Sequence, residues 1–113
     1  MIRLKRVYEP PTTEDGLRIL VERLWPRGLT KQQARVDVWL KAIAPSASLR
    51  TWFQHDPAKW QEFCRRYRAE LKRNATSVKT LKALAQRRTV TLVFAARDEQ
   101  HNSATALMRF LSR

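Results

Sequence analysis

Glycine, cysteine and long apolar runs are what this 113-residue chain has least of, and each shortage closes off a class of function. With only Gly16 and Gly28 there is no G-x-G-x-x-G turn, no P-loop and no nucleophile elbow. Each of those motifs needs glycines spaced where the backbone meets a phosphate or turns sharply. Cys64, the single cysteine, forms no internal disulfide, which predicts a reducing, cytoplasmic setting. Two histidines and that one cysteine, far apart in sequence, match no zinc-ligand spacing, so neither metal nor cofactor is expected. No apolar run can span a bilayer, and Arg3, Lys5 and Arg6 interrupt the first segment, so neither a membrane span nor a signal-like leader is predicted. Acidic residues are also scarce, 10 against 23 Lys+Arg, for a net charge of +13. The excess lies mostly in residues 57–113, which hold 13 basic and 4 acidic residues, a net +9. That balance favours anionic partners such as phosphorylated metabolites or nucleic acid. A basic composition without a specific partner accounts for it as well.

Hydropathy patterning predicts one α/β domain over 1–113, a small three-layer arrangement with a mostly parallel sheet flanked by helices. Residues 2–8 alternate, Ile2 and Leu4 against Arg3 and Lys5, as a strand with one wet face does. Residues 17–24 are apolar on both faces apart from Arg18, Glu22 and Arg23, which predicts an interior strand. Thr30 and Gln33 form a capping box at the start of a short helix. A third strand or a helix follows near residues 36–40, and one or two helical turns near 48–53. Asp56-Pro57 is a helix start, with Asp as N-cap and Pro at the first helical position. The helix it opens carries Trp60, Phe63, Tyr67 and Leu71 as a core stripe. A second helix over 77–87 buries Val78, Leu81, Leu84 and Ala85. Residues 89–96 form a run without polar alternation, as in a strand covered on both faces. Ala104, Leu107, Met108 and Leu111 mark a final helix.

In Arg23-Leu24-Trp25-Pro26-Arg27-Gly28 the chain resembles the YeaO-like group of bacterial proteins, within the domain of unknown function family 488. Trp39-Leu40-Lys41, Ile43-Ala44-Pro45-Ser46, Trp52-Phe53, His55-Asp56-Pro57 and Trp60 carry the same resemblance. So do Ala95-Ala96-Arg97-Asp98 and His101-Asn102, so that it covers essentially the whole chain. It implies a small α/β domain from a bacterial-type cytoplasm and no particular reaction. Other branches of the wider family carry a cysteine in the late strand and a Cys-His-Arg run after it. Here Phe94 and His101-Asn102-Ser103 stand in those places, which removes the basis for carrying over thiol or thiolate–metal chemistry.

Open α/β sheets bind ligands beyond the carboxyl ends of their strands. Arg23, Trp25, Arg27 and Gly28 leave one interior strand, and Arg97, Asp98, His101 and Asn102 leave the other. Two parallel central strands would bring both groups to one edge. Guanidinium forks match phosphate or carboxylate oxygens, so Arg23, Trp25, Arg27, Arg97, His101 and Asn102 are the expected binding residues for an anionic small molecule, a nucleotide or phosphorylated metabolite. His101 and Asp98 are the candidates for acid–base work. The structural alternative stays open: Asp98 and Asn102 as helix caps, Arg23 paired with Glu22 or Asp37, Trp25 and Pro26 as a wedge. His55 either faces the same pocket or packs at a helix entry, Tyr8 and Asp37 are lesser candidates, and Cys64 fits a small core filler. Trp39, Trp52, Phe53 and Trp60 fit core packing better than a base-stacking platform. A second function reads the helices of residues 57–88 as a nucleic-acid surface, with Arg65, Arg68 and Lys72 along one stripe. No helix-turn-helix, zinc-finger or RNA-recognition signature accompanies them.

Overall fold

The computed structural model describes residues 1–112. Four parallel strands, β1 (Ile2–Arg6), β2 (Leu17–Leu20), β3 (Val38–Trp39) and β4 (Val90–Phe94), pair in the order β1-β4-β2-β3. Leu4 lies opposite Leu92, Leu17 opposite Val90 and Ile19 opposite Val38. All five residues of β4 are buried, because this strand is paired on both edges and covered on both faces. β1 is an edge strand, but its expected wet face is mostly covered: only Arg3 is exposed, while Lys5 is drawn in by Asp15 and Arg6 by the Ala96 carbonyl. β2 stops at Leu20 instead of running on to Leu24: from Val21 the chain leaves the sheet and turns over its carboxyl edge.

Side chains two apart on a strand share a face, and the two faces are covered differently. Ile19, Val90, Leu92 and Phe94 join a large core with α2 (Ala47–Phe53), α3 (Trp60–Lys72), α4 (Ala75–Arg87) and α5 (Ser103–Leu111). The stripe Trp60, Phe63, Tyr67 and Leu71 is buried as its spacing predicts, and burying a side chain of that size contributes about 1.5–3 kcal/mol. The Tyr67 hydroxyl, buried with it, donates to the Ile43 carbonyl at 2.7 Å. On the other face Val7, Leu20, Ala34 and Val93 pack together under α1 (Lys31–Ala34), with Trp25, Leu29, Val36 and Ala95 around them. α1 is one turn long and carries the predicted box: Thr30 Oγ1 accepts from Gln33 N at 3.1 Å, and Gln33 Oε1 accepts from Thr30 N at 3.0 Å.

Buried charge holds this thinner face. Arg18 is 3% exposed and Asp15 1%. Arg18 donates to an Asp15 carboxylate oxygen at 2.8 Å and to the Ala34 carbonyl at 2.8 Å, so it satisfies the open end of α1 while pairing with the acid. Lys5 and Thr12 complete the set around Asp15. Gly16 follows at φ +63°, where a Cβ would lie 2.2 Å from the Thr89 carbonyl oxygen; only glycine fits this approach of β2 to β4.

Candidate functional site

A cleft of about 670 Å³ opens beyond the carboxyl ends of β1, β4 and β2. Its walls come from the chain leaving each strand: Tyr8 after β1, residues 22–27 after β2, Ala95 and Ala96 after β4. The far wall is α2 and the turn after it, with Arg50, Phe53, Gln54 and His55, and the first residues of α5 close one end. Gln54 and His55 are both left-handed, φ 49° and 58°, although neither is glycine. Such backbone costs about 1 kcal/mol or more per residue, and here it swings His55 onto the cleft wall.

Within the cleft, Glu22 is held from two sides. Its carbonyl accepts from Trp39 Nε1 at 2.6 Å, and its carboxylate accepts from the Ala95 amide at 2.7 Å. Burial pushes this carboxyl above its ordinary pKa, and the Ala95 amide and the nearby His55 and Arg50 offset only part of that rise. Arg23 is half-buried, with Nε donating to the Pro45 carbonyl at 3.2 Å. Arg27 and Arg50 are exposed at the mouth. Tyr8 reaches across to donate to the Arg27 carbonyl at 2.9 Å, and Trp25 Nε1 donates to the Leu29 carbonyl at 2.7 Å. The arrangement offers exposed guanidinium groups at the rim, one carboxylate held by the Ala95 amide inside and aromatic surface between.

The expected binding residues separate here. Arg23, Trp25, Arg27 and Asn102 line the cleft; Arg97 and His101 do not. Asn102 is 2% exposed and acts as the N-cap of α5, its Oδ1 accepting from Thr105 N at 2.9 Å. Asp98 binds His101 Nδ1 at 2.9 Å and two backbone amides, and its hydrogen bond from His101 holds its carboxyl below the ordinary range. The His101 ring packs edge-on against Trp60, with centroids 5.2 Å apart, which turns it from the cleft towards the helix layer. Arg23 pairs with neither Glu22 nor Asp37; Asp37 instead accepts from the Arg18 amide at 2.8 Å.

Glu22 and Arg50 were not among the expected site residues. A carboxylate at the end of a largely apolar interior segment was the available signal for Glu22; Arg50 gave none, because its place depends on how α2 packs. On the basic helices Arg65 and Arg66 both pair with Glu62, at 2.6 and 2.8 Å, while Lys72 is exposed and Arg68 half-buried. Among the described residues no three His, Cys, Asp or Glu side chains are grouped to hold a metal ion, and no helix is long and apolar enough to cross a membrane.

Comparison with known proteins places these features in a family. A family model described as the inactive DUF488-N3 subclade matches residues 1–113. An uncharacterised protein of Mycobacterium tuberculosis is 40% identical over 111 residues, 98% of this chain and 93% of that protein. The uncharacterised protein YeaO of Escherichia coli K12 is 39% identical over 110 residues, 97% of this chain and 96% of YeaO. No solved structure matches. The chain belongs to the YeaO-like proteins of the DUF488 family, in the subclade described as inactive.

Proposed function

We propose that the chain acts as a single small α/β domain in the cytoplasm, binding an anionic small molecule, a nucleotide or phosphorylated metabolite, in the cleft at its strand ends. The observation that carries this reading is the convergence of Arg23, Arg27, Arg50 and His55 on one concavity of about 670 Å³. That volume lies in the range of small-molecule sites, about 300–1,000 Å³. Arg27 and Arg50 supply the forked donors, Arg23 a fixed positive charge, and Trp25 an apolar wall. Arg97 and His101, which do not line the cleft, have no part in it. The description of the subclade as inactive supports a binding role over catalysis. So does the engagement of His101 and Asp98 with each other outside the cleft. The pairing of Arg65 with Glu62 favours the cleft over the basic helices as the place where an anion is recognised.

Calorimetric titration with inorganic pyrophosphate at low and high salt tests this. One saturable site that persists at high salt is expected. Arg27→Ala and Arg50→Ala should each weaken it about tenfold, the loss of one charge-assisted contact of about 1.4 kcal/mol, without changing the thermal unfolding transition. Absence of saturable binding, or binding that salt abolishes and neither substitution affects, would refute the reading; the second result would move anion affinity to the α3–α4 surface.

A further inference from the structure

Glu22 does not belong in a site built for a bare anion. A carboxylate beside Arg50 and His55 opposes a phosphate at the same spot, and burial makes it costly to keep ionised. Nor is it a structural acid like Asp15, which takes hydrogen bonds from Thr12, Lys5 and Arg18 on its two oxygens. Glu22 accepts one, from the Ala95 amide on Oε1. No fully buried side-chain polar atom lacks a partner among the described residues, so Oε2, which accepts no hydrogen bond from them, is reachable from the cleft that Glu22 lines. A carboxylate can accept about four hydrogen bonds, and Glu22 uses one of them within the described residues. Trp39 fixes its backbone and Ala95 its carboxylate, both at the ends of sheet strands, so the acceptor is held in place before any ligand arrives.

We propose that Glu22 is the specificity-determining acceptor of the cleft and reads the base of a guanine nucleotide, whose ring N–H and exocyclic amino group are adjacent donors. This rests on the anion-binding reading and assigns the other end of the same ligand. Two adjacent donors match a carboxylate. Adenine sets a ring-nitrogen lone pair beside its amino group, and hypoxanthine lacks the amino group, so each meets the carboxylate with at most one donor. Tyr8, 40% exposed, and Trp25 line the cleft and offer the flat apolar surface that a planar base covers. Arg27 and Arg50 at the mouth are left for the phosphate.

The test is calorimetry of the wild-type protein and Glu22→Gln with GMP, IMP, AMP and pyrophosphate at one salt concentration. The substituted amide side chain keeps an oxygen to accept from Ala95 and replaces the other acceptor with a donor. The wild type should bind GMP about tenfold or more tighter than IMP or AMP. Glu22→Gln should erase that preference while pyrophosphate binds at least as tightly as before, because the carboxylate that opposes it is gone. Equal affinity for the three nucleotides in the wild type, or a GMP preference that survives Glu22→Gln, would overturn the assignment while pyrophosphate binding leaves the anion reading standing. If neither pyrophosphate nor any nucleotide binds the wild type, both fall. The wild-type GMP-to-IMP ratio decides the point alone should Glu22→Gln fail to fold.

Discussion

Asp15 and Glu22 flank the same short strand, and both carboxylates are drawn away from bulk water. Around Asp15 burial acts to raise the pKa, yet hydrogen bonds from Thr12, Arg18 and Lys5 outweigh it and hold the carboxyl well below its usual range. Around Glu22 burial dominates, because one backbone amide and two cations acting through space do not compensate. The first acid ties β1, β2 and α1 into one unit. The second faces a cleft. Taken together they separate a charge that the fold satisfies from one that the fold leaves available, and perturbed groups of the second kind gather at functional sites.

The largest effect should come from breaking the satisfied site. Asp15→Ala leaves Arg18 buried without its acid and should lower unfolding free energy by about 3–5 kcal/mol in denaturant titration. Protonation should do the same more gradually. A depressed folded-state pKa contributes stability above the unfolded-state value, about 3.9 for Asp, and loses it as pH falls towards the folded one. Acid melts of the wild type should therefore steepen below that value, and Asp15→Asn should be weaker at neutral pH and flatter in acid.

Glu22→Gln is expected to behave in the opposite way. A raised folded-state pKa means that ionised Glu22 lowers stability as pH rises from the unfolded carboxylate value through the folded one. The variant should match or exceed the wild type at neutral pH, by no more than about 1 kcal/mol, and the difference should close in acid. A clear loss of stability would make Glu22 a structural acid and erase the contrast. The smallest effect belongs to Glu62. Arg65 and Arg66 hold its carboxyl at about 2, but all three side chains face solvent, so Glu62→Gln should leave the melting temperature unchanged within error.

Local signals carried much of the architecture. The Thr30–Gln33 capping box, the Asp56-Pro57 start and the Trp60–Phe63–Tyr67–Leu71 stripe depend on neighbours a few residues away; the box and the stripe stand where their spacing puts them, while Asp56-Pro57 opens a 3-10 turn, Pro57–Lys59, that leads into α3. Strand β4 was legible because a covered strand needs no polar face. The ends of elements were less so. Val21 and Leu24 continue the apolar pattern of β2, yet Val21 packs into the core while Glu22 and Arg23 turn over the sheet edge, a choice made by Trp39, Pro45 and Ala95 from distant segments. The same dependence explains the site. Arg23, Trp25 and Arg27 follow directly from the end of an interior strand and reach the cleft, whereas Arg97 is outside its lining and His101 is held by the Asp98 contacts and Trp60. Arg50 arrives only through the packing of α2.

Backbone amide NMR during a pyrophosphate titration tests binding at the cleft, because it locates the anion as well as detecting it. Cleft binding predicts saturable shifts confined to residues 22–27, 50–55 and 95–96, with the amides of α3 and α4 unmoved. Shifts that follow residues 65–88 and fade with salt, with the cleft amides silent, would contradict it.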